Sequence, residues 1–295
     1  MSAPAQTTRG VTLTADPLIA LRQVALRVRG QPVMAALPGG FVTRRKGHGQ
    51  DIADVRSYLP GDDLRHLDRG STARTGVLHV RQFMDERDRV TLLVADFRAP
   101  MLWGLKRAFR SVAAAEALVL LGWQAVEEGG RVGLLALTGG TPVAVRPRGR
   151  ARGMLEVIGG LVTAHAQALK VPHSLPLDVA LDPVGRIAPR GAEVVIASGF
   201  DAPGALHDRF ADLSRCRYLH LLRLSDAEAG GLPRGRYPIR LANGRRLRVA
   251  VSGKAAPPPD ISTISGQAAL RLDAAWPIDQ LAQRLAAAFP TDRVP

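Results

Sequence analysis

The sequence predicts an α/β protein: a doubly wound, mostly parallel sheet, preceded by an N-terminal arm and followed by a C-terminal hairpin plus helices. Residues 90–96, 132–137, 193–197 and 217–224 are short, nearly continuous apolar runs, the pattern of strands buried on both faces. Segments with helical spacing separate most of these runs, as a sheet covered on both sides requires. A chain of 295 residues that is 46% hydrophobic can bury one large core or two modest ones.

The elements follow in order. Over 17–28, Leu18, Leu21, Ala25 and Val28 share one face of a helix expected to pack outside the sheet, and an arm punctuated by Gly and Pro runs on through Gly40. The strand over 90–96 ends on Asp96, placing a carboxylate at the strand's C-terminal end, where open α/β sheets bind ligands. A long amphipathic helix over 105–128 stops at Gly129-Gly130. Strands over 132–137 and 142–145 turn at Gly139-Gly140. Helices over 151–169 and 176–182, a strand over 193–197, a helix over 203–215 and a strand over 217–224 come next. Beyond Gly230-Gly231, residues 236–241 and 246–251 around Asn243-Gly244 predict a hairpin closing over a sheet edge. Pro257-Pro258-Pro259 predicts a stiff linker, and residues 262–274 and 277–289 predict two helices that dock back on the sheet.

The segment from Gly47 to Arg89 is dense in charge and turn residues. Asp54, Asp62, Asp63 and Asp68 interleave with Arg56, Arg65, Arg69 and Arg74 around a reversal at Pro60-Gly61, which Tyr58 and Arg65 flank. Arginine grips carboxylates through a planar fork, so the alternation predicts an ion-pair network clamping a poorly hydrophobic loop onto the sheet. The alternative is a solvated loop, whose exposed pairs contribute roughly 0–1 kcal/mol each.

Gly47, Gly49, Arg56, Tyr58, Gly61, Asp62, Arg65, Asp68, Ala73 and Arg74 together resemble the signature of the bacterial "domain of unknown function 58" family, which is related to the von Willebrand factor type A fold. The resemblance implies von Willebrand type A (Rossmann-like) topology in three parts. Residues 1–89 would hold the arm and the signature segment packing on the sheet, 90–255 the von Willebrand type A-like domain with its closing hairpin, and 256–295 the linker and C-terminal helices.

The resemblance also implies a divalent-cation site at the end of the first sheet strand: an Asp-x-Ser-x-Ser loop, a Thr, and an Asp after the fourth strand, holding Mg²⁺ in octahedral oxygen coordination. Here the loop is Asp96-Phe97-Arg98-Ala99-Pro100, so Arg98 and Pro100 stand where serines are expected. Ser198-Gly199 replaces Ser-Asp unless Asp201 reaches back, and the Thr position aligns with Ser174 or Leu175. These losses predict a degenerate site with no metal and no cofactor. Either Arg98 supplies the missing positive charge to Asp96, or it extends into solvent while backbone amides cap the carboxylate. Phe97, Arg98 and Phe200 are the expected interface anchors around Asp201, because aromatic residues and arginine dominate binding energies. The resemblance implies a MoxR-type AAA+ ATPase as partner.

A net charge of +14 raises nucleic acid as an alternative ligand. Basic clusters occur over 146–152 and 234–248. Aromatics are only 4%, which leaves few platforms for base stacking, so an acidic protein partner or a solvated surface is the better reading. The excess is almost all arginine, a bias that GC-rich coding produces without a selected ligand. His48, His66 and His79 form no ligand array, and Ser71 and Ser198 have no base partner in the sequence, so no catalytic set is expected. The lone Cys216 is expected to be a buried, inert thiol. No apolar run reaches the roughly 18 residues of a membrane span, and residues 1–10 lack the apolar core of a signal peptide. Relatives in the resembled family often carry membrane helices, so the lack of such a run in this sequence leads to the expectation of a cytoplasmic protein. The function expected is a non-catalytic interaction or adaptor module; the alternative is a basic nucleic-acid-binding protein, whose affinity would fall steeply with salt.

Overall fold

The computed structural model describes residues 8–29, 52–58, 67–83, 89–171, 175–226, 233–240, 245–251 and 259–289. The chain divides into two compact units, residues 1–41 with 89–290 and residues 42–88 with 291–295. In chain order the elements are α1 (Ala15–Arg29), β1 (Ile52–Ser57), α2 (Arg69–Thr75), β2 (His79–Phe83), β3 (Val90–Asp96), a 3-10 turn (Ala99–Met101), α3 (Arg110–Glu127), β4 (Arg131–Leu137), β5 (Val143–Gly149) and α4 (Arg150–Lys170). There follow α5 (Leu177–Ala180), α6 (Val184–Ile187), β6 (Glu193–Ser198), α7 (Leu206–Ser214), β7 (Tyr218–Ser225), β8 (Gly235–Arg240), β9 (Arg246–Val251), β10 (Ile261–Ile264), β11 (Gln267–Asp273) and α8 (Ile278–Ala288).

The larger unit is mixed α/β with a mostly parallel central sheet, consistent with a Rossmann-like fold. Its seven strands lie in the order β10-β11-β7-β6-β3-β4-β5. All neighbours run parallel except at the two edges, where β5 and β10 are antiparallel. From β3 the sheet grows outward through β4 and β5, then returns to β3's other side with β6. The crevice beyond the C-terminal ends of β3 and β6 is therefore a topological switch point, the place where such sheets bind ligands.

Strand periodicity divides the core. Leu93 and Ala95 face the cluster formed with α1, α3, α4 and α8, whereas Leu92 and Val94 face the one under α5, α6 and α7. Both faces of β3 are covered, which is why its seven residues are all buried. Helix α1 packs on α3, α4 and α8 through Leu18, Leu21, Ala25 and Val28. Among the described residues no helix is long and apolar enough to cross a membrane.

The C-terminus departs from expectation. The helix expected over 262–274 is the β10–β11 hairpin, turning at Ser265 and Gly266, both with positive φ (48° and 84°). Consecutive left-handed residues define the tight turn that matches strand twist, and β-branched Ile261, Thr263 and Ile264 suit the pleat. Strand β11 then pairs with β7, so this segment extends the sheet instead of covering it. Among the described residues the β8–β9 hairpin forms a two-stranded sheet of its own, hydrogen-bonded to no strand of the main one. Its Asn243-Gly244 turn lies outside the described residues, as do Pro257 and Pro258 of the expected linker. Helix α3 starts at Arg110 instead of 105, because Leu105 N–H donates to Asp226 Oδ2 (2.8 Å) and Phe109 N–H to the Gly10 carbonyl (2.7 Å). These tertiary bonds override the high helix propensity of Leu105, Lys106, Arg107 and Ala108. Cys216 is half-buried and precedes β7, so the expectation of a buried thiol is corrected.

In the smaller unit β1 and β2 pair antiparallel, with a bulge between Ile52 and Asp54. Helix α2 is capped by Asp68, whose Oδ1 accepts from Ser71 N–H at 2.7 Å, and ends at Gly76.

Candidate functional site

Asp96 is the last residue of β3 and Ser198 the last of β6, so neighbouring parallel strands deliver a carboxylate and a hydroxyl to the switch point. Ser198 Oγ donates to Asp96 Oδ2 at 2.6 Å and accepts from Phe200 N–H at 2.9 Å. Arg98 folds back over the carboxylate. Its Nε donates to Oδ1 (2.9 Å), its Nη2 to Oδ2 (2.8 Å) and its backbone N–H to Oδ1 (3.0 Å). The same guanidinium reaches the carbonyls of Leu175 through Nη1 (2.6 Å) and of Asp201 through Nη2 (3.2 Å). Arg98 is 0% exposed and Asp96 1%. Of the two readings of Arg98, the guanidinium therefore lies on the carboxylate and not in solvent.

A second guanidinium occupies the adjoining space. Arg110, the first residue of α3, donates through Nε to the Leu224 carbonyl (3.0 Å) and through Nη2 to Asp201 Oδ2 (2.8 Å), and stacks over Trp103 at 5.3 Å. A Cβ built on Gly199 would overlap the Arg110 Nη2 and the Asp201 carboxylate, so a side chain at this position would displace the pair. Asp201 thus points at Arg110, away from Asp96. The loop that carries it is strained, with φ of 57° at Phe200 and 48° at Ala202, conformations that side chains other than glycine rarely adopt.

These residues do not fit a hydrated divalent cation. An ionised carboxylate offers about four lone-pair directions, and those of Asp96 already meet Arg98 N–H, Nε, Nη2 and Ser198 Oγ. The remaining oxygens nearby, the Leu175 and Asp201 carbonyls, accept from the guanidinium itself. Pro100 sits in the 3-10 turn and offers only its carbonyl, toward Arg110 Nη1 at 3.4 Å. Among the described residues no group of three or more His, Cys, Asp or Glu side chains is placed to hold a metal. Ser174 lies outside the described residues.

The expected interface anchors are corrected by their burial. Phe97 is fully buried, edge-on to His165 at 5.0 Å, and Phe200 is 9% exposed and edge-on to Phe210 at 6.4 Å. Side-chain alternation continues past β3, so Phe97 falls on the core-facing side opposite Asp96. The exposed apolar side chains at this edge are Trp103, Leu105 and Leu175 on loops and Val179 on α5 instead. Of the signature network, Asp62 and Arg65 lie outside the described residues, and so does the Arg56 side chain. Tyr58 is half-buried and Arg74 exposed, and Asp68 serves as a helix cap.

Sequence reading missed two groups. Arg110 was hidden inside the expected helix, although Gly199 near Asp201 left room that a long cation could fill. The other is a buried contact between α3 and α4, where Ser111 Oγ meets His165 Nε2 at 2.9 Å. Burial lowers the His165 pKa from 6.5 to about 4. Both side chains are shut off from solvent at 0% and 1% exposure, so the pair joins helices and is not a nucleophile with its base.

Comparison with known proteins adds a family. Uncharacterized proteins from Mycobacterium bovis and Mycobacterium tuberculosis are each 34% identical to this chain over 196 residues, 64% of this chain and 59% of theirs. The chain thus spans well under two thirds of the length of these relatives. The crystal structure of the conserved hypothetical protein BatB from Bacteroides thetaiotaomicron is similar with a TM-score of 0.41 and 11% identity, covering 68% of this chain and 98% of that one. Residues 54–243 match the model of the family described as "Protein of unknown function DUF58", and the chain belongs to that family.

Proposed function

We propose that the protein is a non-catalytic, von Willebrand type A-like interaction module in which two internal guanidiniums replace the cation of the sheet-top site, and that it works as an adaptor with a MoxR-type AAA+ ATPase. The observation that carries this reading is the saturation of Asp96 by Arg98 and Ser198 at the switch point. A site that recruits partners through a shared metal needs open coordination positions. A site sealed by arginine presents a fixed, metal-independent surface. The strand order supports the topology, since taking β3 as the first strand gives β5-β4-β3-β6-β7-β11, the doubly wound arrangement with its reversal at the site. Trp103 and Leu105 supply the aromatic and apolar contacts that anchor interfaces, and the exposed Asp201 carboxylate supplies a polar rim.

Co-purification with a MoxR-type AAA+ ATPase, run with and without EDTA, tests the reading. The expected complex survives EDTA and is weakened by Trp103→Ala and Leu105→Ala. A complex lost in EDTA overturns the metal-independent site, and one indifferent to both substitutions moves the interface away from this edge.

A further inference from the structure

We propose that the β8–β9 hairpin is a docking face for anionic membrane surfaces. The register fixes its two faces. Tyr237 opposes Val249 and Ile239 opposes Leu247 on one, while Arg236, Arg246 and Arg248 project from the other. Ile239, Leu247 and Val249 are 39%, 39% and 40% exposed, and the three arginines are exposed as well. The hairpin pairs with no strand of the seven-stranded sheet. A two-stranded ribbon is marginal in water by itself, so burial of the apolar face stabilises it.

Charge selects the occupant. Residues 229–259 contain six arginines and Lys254 and no acidic residue, so they hold half of the net charge of +14 in about a tenth of the chain. The partner must be apolar at one depth and anionic at the next. A bilayer edge has that layering, with acyl chains beneath phosphates, and amphipathic elements lie in it with the apolar side down and basic side chains at headgroup level. Each basic residue at an anionic leaflet contributes about 1 kcal/mol, and long arginine stems reach headgroups from either side of the backbone. Nucleic acid would engage the arginine face and leave the apolar face wet. The hairpin's aromatic residue, Tyr237, has its hydroxyl committed to the Pro233 carbonyl at 2.9 Å.

The test is co-sedimentation of the full chain with vesicles of phosphatidylcholine alone and of an equal mixture with phosphatidylglycerol. The protein is expected to pellet with the mixed vesicles, not with phosphatidylcholine, and to be released by salt. Arg236→Gln and Arg246→Gln should each lower partitioning about fivefold, the equivalent of one basic residue's contribution. The Arg236→Lys and Arg246→Lys variants should retain binding. The double variant Ile239→Asp, Val249→Asp should abolish it while a thermal melt shows the fold intact. Failure to pellet with mixed vesicles overturns the proposal, as does pelleting that survives the double variant. Binding of duplex DNA that needs these arginines and ignores the double variant overturns it in favour of nucleic acid.

Discussion

A carboxylate buried to 1% exposure is costly unless both its oxygens are satisfied, and at Asp96 a guanidinium two residues away does most of that work. Removing one member of such a pair leaves the other charge buried and alone, at about 3–5 kcal/mol. Arg98→Ser should therefore destabilise the protein by that amount, read as a lower Tm or an earlier denaturant midpoint; an unchanged midpoint would sink the internal-cation reading. Added Mg²⁺ or Mn²⁺ should not shift the Tm of the unaltered protein, whereas a ligand at 100 times its Kd would add about 2.7 kcal/mol. Gly199 and Arg110 make a second, coupled test. Gly199→Ala places a methyl where the guanidinium lies, and the penalty should shrink in an Arg110→Ala background, giving a non-additive double-mutant cycle. Additive costs would mean that the two residues do not compete for that space. The Asp96–Arg98 pairing was open to sequence reading because both residues sit in one short motif. Arg110 was not, since its partners at 201 and 224 meet it only through the fold.

Elements were legible where their periodicity is strong. The strand over 90–96 was found residue for residue because five of its seven residues are apolar and no glycine or proline interrupts them. Residues 262–274 defeated the same reasoning: Ala268, Ala269, Leu270 and Leu272 fit a helix as well as a strand, and the Ser-Gly dipeptide was the discriminating signal. Side-chain contacts between elements are invisible to periodicity, and the Ser111–His165 link between α3 and α4 is one. Because burial depresses the His165 pKa from 6.5 to about 4, the unfolded chain takes up a proton before the folded one does. Stability is then full above pH 6.5 and falls as pH drops toward 4, by about 3 kcal/mol for this group. Chemical denaturation across that window should show the slope, and His165→Gln should flatten it; a slope that persists assigns the acid sensitivity elsewhere. In the smaller unit, Asp68→Ala removes a helix cap and should cost about 1 kcal/mol, with Asp68→Ser nearly neutral. A loss of several kcal/mol would instead reveal a charge pair of the kind the signature segment suggested.

At the scale of the whole molecule, the question is what the last forty residues do. A linker with two docked helices would be a dispensable cover. A strand inserted beside β7 is part of the sheet itself, and β11 carries Leu270 and Leu272 into the larger core at 0% exposure. Helix α8 adds Leu281 and Leu285 from the far side, packed against α1 and α3. Truncating one buried leucine to alanine costs about 2–5 kcal/mol, against a total stability of about 5–15 kcal/mol, so losing four at once exceeds what the fold can absorb. Removal would also bare the parallel edge of β7, a run of unpaired backbone groups prone to association. A chain ending at residue 255 should therefore be insoluble or lack a cooperative melt, and Leu272→Ala in the full chain should lower stability by about 2–5 kcal/mol. A soluble, cooperatively melting truncation would show that β10, β11 and α8 are accessory, and would return the C-terminus to the role of a detachable cover.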